Sequence, residues 1–194
     1  GIYCFKKEAF SYINRTKLSP RGEYELTDSL KMMIDEGNKV RWMPLGGKWL
    51  DIGRPWDLID ANMFFLDSLK HHVSLDSKIS SDSKIGSPVF IDSLSVIDSS
   101  KILPPCLISK NVNIGKNSRI SSSVVRGDVK IGKNCIIENS VIMNGVTIDD
   151  GSVVSFSIIG ENSEIGKNVT FESKSDKNIY VEIKGGLVDS NRSQ

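Results

Sequence analysis

The stretch DVKIGKNCIIENSVIMNGVTIDDGS, Asp128–Ser152, decides the fold. Short aliphatic runs alternate with Ser, Asn, Asp and Gly, and no helical period survives in it. Shifted by 17 residues, the stretch finds its echo on both sides. Ile108, Val125, Ile142 and Ile159 share one column. Ile97, Ile114, Ile131, Ile148 and Ile165 share a second, and Leu103, Ile120, Ile137, Val154 and Phe171 a third. Successive columns are 5, 6 and 6 residues apart.

Two further columns are small: Cys106, Ser123, Ser140, Ser157, and Ser118, Cys135, Ser152, Val169. The turn "GKN" at 115–117 recurs at 132–134 and 166–168, with "DDG" at 149–151. Its last position is Asn117, Asn134, Gly151, Asn168. Asn and Gly tolerate a left-handed backbone best, so this column predicts positive φ. Three short strands per coil then form three flat faces. The aliphatic residue of each hexad points inward, and coils stack about 4.8 Å apart. This is a parallel β-helix. Gly86 follows Ile85 as Gly115 follows Ile114, which predicts a less regular first coil near Ile79.

The hexapeptide pattern resembles the left-handed β-helix family, and the left hand rests on that resemblance, against the usual right-handed crossover. Many proteins of that kind are acyltransferases with a histidine base between neighbouring β-helices. The two histidines here, His71 and His72, precede the expected first coil. The coils therefore read as a scaffold for assembly. Cys135 and Cys106, in the small columns, read as packing; Cys4 is expected to be buried in a strand.

Residues 1–70 follow a different grammar, mixed α/β. "GIYCF", "KVRWMPL" and "KWLDI" read as strands. "KEAFSYI" offers a helical apolar set at Ala9, Phe10 and Ile13. "ELTDSLKMMIDEG" predicts a helix capped by Thr27 or Asp28, with a stripe of Leu30, Met33 and Ile34, stopped at Gly37. Pro55 suits a first helical turn. Leu58, Ile59, Met63, Phe65, Leu66 and Leu69 share one face of that helix, and Trp56 reads as core. The domain boundaries expected are 1–70, 71–172 for the β-helix, and 173–194 for a capping strand ("NIYVEIKG") with a flexible tail.

The segments "GIYCF", "SPRGEYELTD" (19–28) and "GKWLDIGRPWDLIDAN" (47–62) resemble, in order and spacing, the sugar-1-phosphate nucleotidylyltransferases. The resemblance covers residues 1–172. It implies an α/β remnant of a nucleotidyltransferase domain followed by a left-handed parallel β-helix, as in mannose-1-phosphate guanylyltransferase and ADP-glucose pyrophosphorylase types. Those enzymes join a sugar 1-phosphate to a nucleoside triphosphate with Mg²⁺, which relieves repulsion between phosphates. By resemblance, Asp51 helps to hold the Mg²⁺, and the competing role is a cap on the Pro55 corner. Arg21 contacts the sugar phosphate with its planar fork, Glu23 beside it orients it, and Tyr3 lies near the same phosphate. Gly1 lets the sugar approach closely, and Trp49 lies at the sugar site on the strand face of Asp51. The family's glycine-rich Arg/Lys loop and its Glu-Lys-Pro segment do not occur in this sequence. No catalytic set is complete in it, and a C-terminal piece of a longer enzyme is expected. A non-catalytic regulatory or assembly subunit is the alternative, and a hexapeptide acyltransferase a more distant one.

Composition narrows the partners. Lys plus Arg number 25 against 24 Asp plus Glu, so no broad field favours nucleic acid. No apolar run is long enough to span a bilayer. Three scattered cysteines fit free thiols in a reducing compartment, so a cytoplasmic homo-oligomer is expected.

Overall fold

An inward aliphatic residue at every fifth or sixth position becomes three parallel ladders in the computed structural model. One runs Ile79–Ile97–Ile114–Ile131–Ile148–Ile165. The second runs Val73–Ile91–Ile108–Val125–Ile142–Ile159, and the third Ile85–Ile102–Ile120–Ile137–Val154–Phe171. These side chains form the continuous core of the β-helix. The residues described are 2–172, 180–182 and 187–188; Gly1 and the "KGG" and "DSNRSQ" segments of the tail lie outside them. Two compact units divide the chain, Gly1–Trp49 and Leu50–Gln194.

The first coil begins at His72–Val73, earlier than Ile79, so His72 is part of a coil and not of a linker. Its ring stacks on Phe90, 4.9 Å between centroids, and His71 Nδ1 accepts the Val89 N–H at 3.3 Å. One inward position also differs from the constant offset. Ile102, fully buried, stands opposite Ile120, while half-buried Leu103 pairs with Ser121 on the outside. The register shifts between Leu103 and Cys106, where Pro104 and Pro105 stand against Ser122 alone. Proline has no N–H to give to a ladder, so the extra residue is absorbed as a bulge. At the far end, Tyr180–Glu182 and Leu187–Val188 pair in parallel onto Ser157–Ile159 and Glu164–Ile165. That stretch continues the ladders.

From Leu94 onward, most corners of the coils are turned by a left-handed residue. The expected column has φ of 60° at Asn117, 57° at Asn134, 77° at Gly151 and 56° at Asn168, and Ser99 joins it at 47°. Two further columns share the conformation: Leu94, Asn111, Asp128, Gly145, Asn162, and Ser122, Asn139, Phe156. In the coils from Asn111 onward these N–H groups donate to a carbonyl of the coil before, as in Asn111 to Ser93 (3.0 Å), Asn134 to Lys116 (2.8 Å) and Asn139 to Ser121 (3.2 Å). Coils approach so closely that a Cβ on Gly115 would lie 2.8 Å from the Gly132 carbonyl carbon. The small columns are hydrogen-bonded ladders. Ser118 Oγ donates to Gly132 O at 2.8 Å and accepts the Cys135 N–H at 3.0 Å.

In the first unit two helices pack together, α1 (Ala9–Ile13) and α2 (Leu26–Asp35). Buried Thr16 and Ser29 share a 2.5 Å hydroxyl hydrogen bond, which turns the Ser29 side of α2 towards the α1 segment. Ile34 and Phe10 therefore face solvent, against expectation. Helix α2 starts at Leu26 without a side-chain cap, so Thr27 and Asp28 lie inside its first turn. Gly37, at φ 81°, ends it. The expected strands at 1–5, 39–45 and 48–52 do not form among the described residues, and Cys4 is exposed. A strand exists only in a ladder, and no ladder reaches these segments.

A clasp joins the two helical segments. Arg15 Nη2 bonds Glu36 Oε1 at 2.6 Å and covers the Tyr12 ring, and Asn38 Nδ2 donates to Tyr12 Oη at 2.8 Å. The Arg15 hydrogen bond, then Tyr12, holds the Glu36 carboxyl below its ordinary range. A depressed folded value means the clasp is at full strength above the ordinary carboxylate range and is lost as pH falls below it. Amide exchange in the last turn of α2 should accelerate across that window and stay flat in Glu36→Gln. A second test concerns the corner column, where Leu94 alone is an aliphatic residue at φ 61°. Leu94→Asn should relieve roughly 1 kcal/mol of left-handed strain and raise the melting temperature by about 2–4 °C. An unchanged or lower value in calorimetry contradicts the corner rule.

Candidate functional site

The corner "GRPWD" organises itself. Pro55 opens the third helix, α3 (Pro55–Asp67). Asp57, three residues past the N-cap Arg54, turns its carboxylate back. Its Oδ2 accepts the Arg54 N–H at 2.8 Å and the Gly53 N–H at 3.2 Å. The Arg54 N–H is a donor that a helix start leaves without a partner; Gly53 stands one residue outside the helix. The Arg54 guanidinium lies over the Trp56 ring, 5.4 Å from its centroid, and Trp56 is half-buried, short of the core role expected for it.

The cap is thus Asp57, and Asp51 is free of that task. Asp51 is exposed and makes no hydrogen bond or ion pair among the described residues. It belongs to the second unit, whereas Tyr3, Arg21, Glu23 and Trp49 belong to the first. No strand carries Trp49 and Asp51 on one face.

Arg21 stands at the tip of a tight turn. Ser19 N–H donates to Glu23 O at 2.9 Å, Gly22 N–H to Ser19 O at 2.8 Å, and Leu18 and Tyr24 bridge antiparallel. Gly22 takes φ 76° there. The carboxylate that holds Arg21 is that of Glu25, at 2.6 Å and one helical turn on, and not that of Glu23. Glu23 joins the turn through its backbone, its N–H reaching Ser19 Oγ at 3.4 Å. With its side chain 76% exposed, Arg21 keeps most of its fork open to a ligand. Tyr3 is exposed with its ring stacked on Phe5 at 5.9 Å. No hydrogen bond, ion pair or ring contact joins Tyr3, Arg21, Glu23 or Trp49 to one another among the described residues. Gly1 lies outside the described residues.

What sequence reasoning missed is the seat of α3. Leu107, Val124, Val141 and Ile158 form an outward apolar column on the β-helix. Ile59 and Leu66 of α3 are buried against Val124, Val141 and Ile158, with Leu58, Met63 and Leu69 at the margin. Burying Ile59 and Leu66 contributes roughly 1.5–3 kcal/mol each. Phe65, expected on this face, is 66% exposed. The signal was legible: aliphatic residues come in adjacent pairs at 107–108, 124–125, 141–142 and 158–159. Adjacent strand residues face opposite sides, so a double run marks a strand covered on both.

With both surfaces in view, the comparisons bear on each part of the chain. Residues 1–68 match the family model described as Nucleotidyl transferase. Residues 94–185 match the model of the EIF2B subunit epsilon LbH domain, a left-handed β-helix. The bifunctional protein GlmU of Methanocaldococcus jannaschii is 48% identical over 73 residues, 38% of this chain and 18% of that protein. A bifunctional sugar-1-phosphate nucleotidylyltransferase/acetyltransferase of Sulfurisphaera tokodaii is 41% identical over 69 residues, 36% of this chain and 17% of that protein. These alignments therefore span under one fifth of each relative. Among solved structures, PerB from Caulobacter crescentus overlaps 60% of this chain and 56% of its own at 15% identity, with a TM-score of 0.27. LpxA from Bacteroides fragilis overlaps 52% and 67% at 17% identity and 0.22. Scores at that level carry no functional weight.

The Cys106 and Cys135 thiols are packed within the coils. Burial pushes Cys106 up to about 12. Burial also raises Cys135, whose Sγ donates to Asp149 O at 3.2 Å. A thiol reagent at neutral pH should label Cys4 alone in the native protein and all three cysteines after unfolding, read by mass spectrometry. Rapid native labelling of Cys135 would place it outside the core.

Proposed function

We propose that the chain is the C-terminal part of a sugar-1-phosphate nucleotidylyltransferase. A nucleoside triphosphate and a sugar 1-phosphate would yield a nucleoside-diphosphate sugar and pyrophosphate, and the β-helix would serve homo-oligomeric assembly. The observation that carries this reading is the division of labour in "LDIGRPWD". Asp57 meets the structural need of the corner, which leaves Asp51 exposed and unengaged. One carboxylate of this kind fits Mg²⁺, which keeps most of its waters and takes one or two protein carboxylates. Bound there, Mg²⁺ would draw charge from the crowded phosphates. Arg21, held by Glu25 at one terminal nitrogen and otherwise exposed, has guanidinium donors left for a sugar phosphate.

A second observation supports a larger domain around residues 1–49. Ile2, Tyr3, Trp42, Met43, Leu45 and Trp49 are all exposed, Trp42 at 87%. Apolar surface on that scale marks an interface. We assign it to the remainder of the nucleotidyltransferase domain, which would bring the nucleotide-binding loop and a further metal ligand.

A regulatory or assembly subunit on the same folds is the second reading, and the likeness to a subunit's β-helix domain favours it. The His71 Nδ1 lone pair is taken by the Val89 N–H and the His72 ring lies against Phe90, so both histidines contribute to the first coil.

The test joins this chain to the nucleotide-binding half of the domain and follows pyrophosphate release across nucleoside triphosphates and sugar 1-phosphates. Asp51→Asn should lower Mg²⁺-dependent turnover by more than about 100-fold, and Arg21→Ala should raise KM for the sugar phosphate. Full activity in Asp51→Asn removes the metal role. Inactivity of the joined wild type with every substrate pair favours the subunit reading.

A further inference from the structure

We propose that Asp57 and the outward face of the β-helix together position Asp51, so that the β-helix is part of the metal site's scaffold. The proposal rests on the reading of Asp51 as a Mg²⁺ ligand. Every residue it uses lies in the second unit.

Three links connect the face to the carboxylate. Val124, Val141 and Ile158 are each at most 5% exposed, under Ile59 and Leu66 of α3. These contacts fix the helix along two turns. The helix start then carries Asp57, whose Oδ2 takes the N–H groups of Gly53 and Arg54. Those two amides follow Asp51 by two and three residues, so the backbone just after Asp51 is tied to the helix and not left as a loose loop. The Arg54 side chain closes over Trp56 and reinforces the same corner.

Glycine at 53 would otherwise let this segment sample many conformations. A metal ligand must sit within about 0.5 Å of its working place, and its supporting shell decides whether it does. Ordinary capping explains one bond, to the N-cap amide of Arg54. It does not require the second, to Gly53. The second bond extends the constraint towards Asp51, and the packed column beneath α3 gives it a rigid base. Asp57 is accordingly a positioning residue, acting through Gly53 and Arg54.

Two measurements decide the matter. In the chain itself, Val141→Ala should thin the seat of α3 and speed amide exchange at Gly53 and Arg54 by about tenfold, with the inward β-helix amides unchanged. In the chain joined to the nucleotide-binding half, Asp57→Ala should raise the Mg²⁺ concentration for half-maximal turnover by about 10–100-fold. Its turnover at saturating Mg²⁺ should change far less, and Asp57→Asn, which keeps an acceptor oxygen, should restore most of the affinity. A merely structural cap would lower melting temperature and leave the Mg²⁺ requirement where it was. That result, or unchanged exchange at Gly53 in Val141→Ala, overturns the proposal. A joined wild type without transfer activity instead overturns the metal reading of Asp51, and this proposal with it.

Discussion

Neighbouring coils of the β-helix are tied by backbone hydrogen bonds in both directions: strand amides donate to the coil after, as Asn113 N–H does to Val129 O, and the left-handed corners return amides to the coil before. At the turns from Asn111 onward a residue of positive φ points its amide along the helix axis, as Asn134 does to Lys116 O. Everything else in the second unit depends on this repeat. It fixes the stacking distance, so glycine is required where Gly115 meets Gly132. It fixes the phase of each strand, so Ile97 and its successors fall on one inward line. Serine suits the positions beside the corners because its hydroxyl joins the same scheme, accepting an N–H from the next coil and donating to a carbonyl.

A rigid prism can also present residues on its outer side, and one face does so. Each strand there has two apolar sides, the inward one for the core and the outward one for α3. Register is set from within, so the outward column Leu107–Val124–Val141–Ile158 is as straight as the inward one. A helix laid on it inherits that straightness. The connecting helix is therefore an outer layer of the β-helix, and the corner at its start is anchored to the same body.

How much was legible in the sequence follows from which interactions are local. The corner column at Asn117, Asn134, Gly151 and Asn168 was readable because the residue types answer directly to φ. Ser122 and Phe156 hold a corner without that signature, which hides their column; the column of Asn111, Asp128, Gly145 and Asn162 carries it and is equally legible. The slip from Leu103 to Ile102 had a visible cause in Pro104–Pro105, but a constant offset cannot place a bulge. In residues 1–49 the strand patterns are real as patterns. They formed no ladders among the described residues, because a ladder needs a second strand that the pattern itself does not supply. The helix stop at Gly37 and the helix start at Pro55 were readable, being local backbone chemistry.

The two aspartates of "LDIGRPWD" show where local chemistry ends and function begins. Asp51 and Asp57 are the same residue type six positions apart, and composition cannot distinguish them. Pro55 does. It sets the first helical turn, which leaves the Arg54 amide in need of an acceptor three residues into the helix; Asp57 is at that place and takes the Gly53 amide as well. Asp51, on the other side of Gly53, has no such obligation. A carboxylate that is exposed and unpaired beside a corner so fully satisfied is not needed for the fold, since removing it would leave no backbone donor orphaned. The same corner that explains one aspartate completely asks nothing of the other.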